Sequence, residues 1–589
     1  MKKIVLLTVI FTLAVTLLFG CTKKEEEIAP LTIVENGICN YKIVRSSKAS
    51  EAVISSTLTI KEAIKNNYSA DIELKDDWLN EKKGEVPAEY EILIGVSNRE
   101  ETSSAVKGLL ADDYVVKAIG NKIVIVGGSD NATVEAVKYF VETVCVASEI
   151  QTLAFNADHE KEYRHEYPYS SLKINEIDIS EYKIVYDSSS NYGKDRAISV
   201  QTTILQNYGK VLDIIPDTDA ETEYEILVGN TRRTQSQSKV KEYQRPNVYY
   251  TVSVTDTKLL ITFDGVRCGE AAVKNFDTLL TEQKGALNMT CDNTNYTGNI
   301  ISEINSARAD GANVRAMTSN VLSHFYQESN DPYEKRMEIL ADTYLTYLPD
   351  VIGLQECRDV DFNVLFPLIS EYYGVVESAE VPQNAVSNET INYECTKILY
   401  RKDKFKYYDA EYEKLVFEFN GNALAQNMKT ITSAVFENKS TGEKFIFVNS
   451  HFVSSYGDEN TDGHKNIRVQ NATQFANKIE RLRVEHPNLP IITTGDYYTP
   501  KNTAANTYPA YDILMGAGLS DASVAAKKKM SPGMGTSHVL GTSVAGTNID
   551  MVFADTEKCD ILSHRIITNI YTKDASDHFP VYADISFKS

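Results

Sequence analysis

The chain has 589 residues, 42% hydrophobic, 10% aromatic and 24% charged, an ordinary globular composition that excludes wholesale disorder. Its length exceeds what one hydrophobic core serves and implies three or four units. The formal charge of −22 disfavours a protein that grips nucleic acid through many phosphates, since such binding draws on a basic face, although a local basic groove stays compatible with it.

In chain order, Lys2 and Lys3 precede an almost wholly apolar run, Ile4 to Leu18, and then Leu18-Phe19-Gly20-Cys21. This resembles a bacterial lipobox, which implies a signal peptide over 1–20, a lipid on the Cys21 thiol and a cell-envelope location on the periplasmic or extracellular face. The alternative, an uncleaved anchor, is disfavoured because the run is shorter than the ~20 residues a spanning helix needs. Residues 21–36, opening Thr22-Lys23-Lys24-Glu25-Glu26-Glu27, read as a solvated tether. The cysteines beyond Cys21 (39, 145, 268, 291, 357, 395 and 559) show no C-x-x-C spacing, and hence neither a zinc site nor a disulfide framework.

Residues 37–150 and 175–287 read as two copies of one domain. Tyr41-Lys42-Ile43-Val44 recurs as Tyr182-Lys183-Ile184-Val185, and Tyr90-Glu91-Ile92-Leu93-Ile94-Gly95 as Tyr224-Glu225-Ile226-Leu227-Val228-Gly229. Asn121 to Val126 matches Thr257 to Thr262 in the same order. The runs YEILIG, NKIVIVGG and TKLLITF predict strands, and residues 133–144 and 270–280 carry apolar side chains at helical spacing. Each copy is therefore expected to be a small α/β sandwich. The pattern is similar to the accessory α/β domain of several glycoside hydrolases, which implies a structural or glycan-contacting role. Seven of the nine histidines lie beyond residue 311, so chemistry is not expected in either copy. Residues 288–312, rich in Asn, Thr, Ser and Gly, read as a linker.

From residue 313 onward, apolar runs repeatedly end in residues able to bind a metal or a phosphate. Val314 to Asn320, Asp350 to Glu356, Phe445 to His451 and Pro490 to Asp496 each end this way. Thr547 to Phe553 carries Asp550, and Ser576-Asp577-His578 heads the last strand. Strand ends converge on one edge of a packed sheet, so these elements can deliver carboxylates, imidazoles and an amide to one pocket. A phosphodiester resists attack until its charge is neutralised, which a hard cation held by carboxylates achieves.

The ordered set T-x-N, D-V-I-G-L-Q-E, N-x-H, G-D, I-D and S-D-H resembles the endonuclease/exonuclease/phosphatase superfamily over about residues 314–587. The resemblance implies an α/β fold, a four-layered sandwich of two mixed sheets following the two tandem small α/β domains. It implies a hydrolase that cleaves a phosphoester by in-line water attack with Mg2+ or Mn2+. Glu356 would be the principal metal ligand, with Asn320 and Asp577 nearby, and Asp496 would position the water or the phosphate. His578, paired with Asp550, would act as general base or bind a non-bridging oxygen, and His451 would stabilise the phosphate or protonate the leaving group. The family places Asn two residues after the Asp of G-D, where this chain has Tyr498. That departure implies a shifted substrate, reduced activity or an inactive binding lipoprotein. His538 stands where some relatives place a substrate-side residue, with an ordinary loop histidine as the alternative. Arg468 and Gln470 read as structural members of a helix, and the stretch 400–406 as a solvated turn. A secreted nuclease is a further reading, which the acidic composition opposes.

Overall fold

The computed structural model describes residues 29–80, 84–147, 151–304, 307–326, 332–377, 396–419, 421–454, 461–503, 506–542, 546–569 and 571–588, with the side chains of 426–428 and 461–462 left out. The leader, Cys21 and Cys395 lie outside the described residues. Among the described residues no helix is long and apolar enough to cross a membrane. The chain divides into two compact units, one running to residue 172 with 202–211 and 284–287, the other holding 173–201, 212–283 and 288 onward.

In the first unit a six-stranded sheet takes the order Glu73–Asp76, Lys42–Arg45, Glu91–Ile94, Lys122–Gly127, Tyr114–Ile119, Glu160–Tyr163. The first four strands are parallel and the last two antiparallel. Ser50 and Ser129 cap the helices Glu51–Tyr68 and Asp130–Thr143 by accepting from backbone N–H groups. Those helices bury Val53, Ile60, Ile64, Val137 and Phe140 against Ile43, Ile92 and Ile125 of the sheet.

The second unit contains a sheet of the same order: Ile214–Pro216, Lys183–Tyr186, Glu225–Val228, Lys258–Phe263, Tyr249–Thr255, Asn295–Asn299. Both sheets bury one ion pair at the matching place, Arg99 Nε to Glu91 at 3.0 Å and Arg233 Nε to Glu225 at 3.1 Å. The segment 288–312 is more than the linker its composition predicts. Asn295–Asn299 pairs antiparallel with Tyr249–Thr255 as an edge strand. Gly298 lies against Tyr250, where a Cβ would come within 2.5 Å of the ring, so a polar, glycine-containing run fits a sheet edge that a bulkier strand would not.

The C-terminal part is two mixed sheets face to face with helices outside. One sheet takes the order Tyr373–Val375, Ile398–Arg401, Val351–Gln355, Val314–Asn320, Val581–Phe587, Cys559–Ile566, Lys528–Lys529. The other runs Phe405–Phe419, Asn422–Asn438, Lys444–His451, Ile491–Asp496, Asp550–Asp555, Leu519–Asp521. Between them Ala316, Phe436, Phe445, Phe447, Ile492, Val552 and Ala583 form the inner core. Helices Tyr333–Tyr347 and Asp359–Ile369 cover the first sheet through Leu340, Tyr344, Leu365 and Ile369. Helix Thr461–Glu485 covers the second through Phe475, Ile479 and Leu482. The result is four layers, with Gln470 tied by its Oε1 to the Glu418 backbone and Arg468 to the Ser454 carbonyl, in keeping with structural roles.

Candidate active site

Register places the site. In the second sheet His451 lies opposite Asp496 in the parallel pair, and Asp496 opposite Asp550 in the antiparallel pair. One rung across three strands therefore carries an imidazole and two carboxylates on a shared face. In the first sheet Asn320 is the rung partner of Gln355, and Glu356 follows directly. A polar seam joins the sheets beneath the site: Gln355 Nε2 donates to Asn449 Oδ1 at 2.7 Å, and Asn449 Nδ2 to the Leu354 carbonyl at 2.7 Å.

Across the sheets, Asn320 Nδ2 donates to Asp496 Oδ2 at 3.1 Å, while its Oδ1 accepts from Leu322 N–H at 3.0 Å. Glu356 adopts φ +59°, a left-handed backbone that costs a non-glycine residue of order 1 kcal/mol or more and characteristically occurs at functional positions. Its Oε1 lies 3.8 Å from His451 Nε2, and that same nitrogen is 3.5 Å from Asp496 Oδ2. His578 Nδ1 is 2.7 Å from Asp550 Oδ2, and its Nε2 is 3.9 Å from both Asp496 Oδ2 and Asp577 Oδ1. All of these side chains are buried except Asp577, which is 39% exposed and stands at the rim.

Charge is sorted within this cluster. Burial favours the neutral form of Asp496, but His451, His578 and Lys429 around it prevail and hold it down at about 2. Burial dominates at Asp550, pushing it up to about 6 although His578 pulls the other way. His578 behaves oppositely: burial would lower it, yet Asp550 and Asp496 keep it well above its ordinary value, so it holds its proton. His451 is lowered by burial and then by the Lys429 ammonium, which leaves it a neutral imidazole at pH 7.

Three residues were not singled out by the sequence. Lys429, only 6% exposed, sets its ammonium against His451 Nε2 and 5.0 Å from the centre of the Tyr498 ring. Its sequence signal is faint, a lysine ahead of a threonine-rich strand stretch. Thr536 Oγ1 accepts the backbone N–H of Asp550 at 3.0 Å. Arg336, 2% exposed, donates to the carbonyls of Val321, Leu322 and Ala575, and so ties together the loops that bear Asn320 and Asp577. Tyr498 adopts φ +47° and stacks on His451 with ring centres 5.8 Å apart. His538 lies beside the rim, its ring stacked on Phe579 at 4.0 Å and its backbone N–H donating to the Asp577 carbonyl.

The donor set suits a hard divalent cation. Among the described residues, Asp496, Asp550 and His578 are the group whose ligand atoms all lie within 4.8 Å of one another; protonated His578 has no lone pair to offer, so the two carboxylates are the donors, and Asp550 Oδ1 lacks a hydrogen-bond donor. Glu356 adds a further carboxylate, near the same His451 nitrogen that faces Asp496. Asn320, by contrast, uses both ends of its amide within the protein, which makes it a support for Asp496 as much as a ligand.

No family model matches the sequence, and no curated protein matches it. Among solved structures, the C-terminal part is similar to an endonuclease/exonuclease/phosphatase family protein from Bacteroides thetaiotaomicron, at 20% identity over 47% of this chain and 98% of that one, with a TM-score of 0.38. It is likewise similar to a mannosyl-6-phosphatase of the same organism, at 19% identity over 46% and 100% of the two chains, TM-score 0.38. The catalytic domain of human nocturnin, with a bound sulfate anion, matches at 18% identity over 48% and 97%, TM-score 0.37. These likenesses concern fold alone, and the reading of the chemistry rests on the side chains.

Proposed function

We propose that the chain is a divalent-metal-dependent phosphoester hydrolase. The observation that carries this reading is the burial, at the ends of strands from two sheets, of three carboxylates and two histidines around one point, with a fourth carboxylate at the rim. A structural role would not place so many ionisable groups together away from solvent, because unpaired buried charge is costly.

Glu356, Asp496, Asp550 and Asp577 are the carboxylates that would hold Mg2+ or Mn2+, with Asn320 supporting them. Such an ion supplies Lewis-acid neutralisation of phosphate charge. Asp496, ionised over the whole physiological range, is suited to orient an attacking water. His578, kept protonated and oriented by Asp550, presents Nε2 to a non-bridging phosphoryl oxygen. Neutral His451, with Lys429 against it, favours the phosphate-stabilising role over proton donation.

The signal sequence and Cys21 extend this proposal to a lipid-anchored enzyme of the cell envelope, with the N-terminal domains as its contact to glycan or another partner. The test is a panel of phosphodiesters and phosphomonoesters run with and without chelator. Hydrolysis that chelator abolishes and added Mg2+ or Mn2+ restores supports the reading. No turnover of any member with metal present would instead favour the inactive binding lipoprotein, for which Tyr498 stacked over His451 is the motivating observation.

A further inference from the structure

The two α/β copies differ in how they surround one tyrosine next to the sheet edge. In the first copy Tyr114 lies against two further rings, Tyr139 of helix Asp130–Thr143 at 6.4 Å and Tyr163 of the edge strand at 5.2 Å. Tyr139 in turn stacks on His159 and shares a hydrogen bond with it, so this face of the helix is covered. The second copy keeps the central ring as Tyr250, but register sets Gly298 opposite it where Tyr163 stands opposite Tyr114. The tenth residue of helix Val266–Thr281 is Asn275, where the tenth of Asp130–Thr143 is Tyr139. Two phenol rings are thereby missing beside Tyr250, and Tyr296, its ring centre 6.0 Å away, refills only one side.

A cavity of about 510 Å3 opens there, within the ~300–1,000 Å3 span of ligand pockets. One wall is a stripe of the helix, Arg267, Glu270, Lys274, Asn275 and Thr278, at the spacing of a single face, while Cys268, Ala272, Phe276 and Leu280 are buried on the other. The opposite wall holds Glu303 and, from the chain just ahead of Asp577, Asn569 and Tyr571.

Three side chains in these walls lack partners that a ligand can supply. Asn569 Oδ1 accepts from the backbone N–H groups of Tyr571 and Thr572 at 2.9 and 3.0 Å, which fixes the amide and leaves Nδ2 buried with no acceptor. Arg267 Nη1 is likewise buried with no acceptor. Asn275 makes no side-chain hydrogen bond among the described residues, leaving both a donor and an acceptor available. A buried donor without a partner is costly, and a bound acceptor removes that cost. The charges in the walls cancel, Arg267 and Lys274 standing against Glu270 and Glu303, and the Tyr571 hydroxyl donates to Glu270. Donors, acceptors and aromatic rings without net charge suit a neutral ligand that both donates and accepts.

We infer that this cavity binds an uncharged sugar ring, whose hydroxyls meet Asn275, Asn569 and Arg267 and whose apolar edge lies against Tyr250. The site gives the glycan contact proposed above a place and does not depend on the phosphoester chemistry. Its test is saturation-transfer NMR of the full chain with D-glucose, D-galactose, D-mannose and N-acetylglucosamine, for the wild type, Asn275→Tyr, Asn569→Asp and Glu356→Gln. Asn275→Tyr restores the ring that the first copy carries and fills the cavity, whereas Asn569→Asp keeps the oxygen that holds the turn and exchanges the donor for an acceptor. The wild type and Glu356→Gln should bind at least one of these sugars in the millimolar range. Asn275→Tyr should abolish that binding while melting no lower than the wild type, which separates loss of a site from loss of fold, and Asn569→Asp should weaken it about tenfold. A wild type that binds none of the sugars, an Asn275→Tyr variant that binds them undiminished, binding lost instead in Glu356→Gln, or displacement of the sugar by inorganic phosphate would each overturn the inference.

Discussion

His578 Nδ1 lies 2.7 Å from Asp550 Oδ2, and both groups are buried, so the imidazole is fixed in orientation with its second nitrogen toward Asp496 and Asp577. Removing either partner breaks a different part of that arrangement. His578→Ala deletes the donor and should lower kcat by about a hundredfold to ten-thousandfold. Asp550→Asn keeps the shape but no longer favours the imidazolium, and should cost a comparable factor. Steady-state kinetics at saturating metal decides, with circular dichroism to verify folding; near-wild-type turnover in both would remove this pair from the reaction.

Glu356 combines a carboxylate proposed to hold the metal with a left-handed backbone. Glu356→Gly should therefore gain about 1 kcal/mol in stability by relieving that strain, while losing metal-dependent turnover altogether. Denaturant melts beside an activity assay would show the two properties moving in opposite directions. Loss of both together would mean that the side chain serves packing alone.

Tyr498 acts through its ring, which stacks on His451 and faces the Lys429 ammonium. Its hydroxyl has no hydrogen-bond partner among the described residues, so Tyr498→Phe should change kcat/KM by no more than about threefold, less than one typical hydrogen bond. Tyr498→Ala uncovers His451 and frees Lys429, and should reduce activity well beyond that. If Phe is as damaging as Ala, the phenol itself touches substrate.

The pair Arg315–Asp584, 2.7 Å at Nε to Oδ1 and fully buried, ties adjacent strands of the first sheet. Burial alone would raise Asp584, yet Arg315 and the Ala309 and Ser563 donors hold it below its ordinary value. A carboxyl depressed in the folded state contributes stability that is present above its unfolded value and is lost as pH falls through the folded one. The wild type should thus weaken in acid below about pH 4, with the usual carboxyl range as reference. Asp584→Asn should lose about 3–5 kcal/mol at neutral pH by stranding Arg315, and show a shallower acid limb. Urea melts across pH 3 to 7 measure both effects.

The site was legible where its residues end apolar strands, because a polar side chain after such a run is pointed at a sheet edge. Asn320, His451 and Asp496 all end their strands, and Asp550 begins one. Lys429 escaped notice since a lysine beside threonines carries no periodic signal, and only pairing with the His451 strand reveals its place. Arg336 was equally silent, as its carbonyl partners are Val321 and Leu322, on the turn before its helix, and the far-removed Ala575. The edge strand Asn295–Asn299 was hidden by its composition, which reads as loop until Tyr250 lies across it.

Gly353 sits in the middle of the strand leading to Glu356, and a methyl group there would come within 2.2 Å of Thr494 Oγ1 and 2.3 Å of Asn449 Oδ1 on the facing sheet. Those two residues stand two positions before Asp496 and His451 on their own strands. The gap spanned by the site's polar groups is thus metered by the absence of a side chain three residues upstream of Glu356. Any larger residue at that position would wedge the two leaves apart and dilute the cluster without touching one of its members.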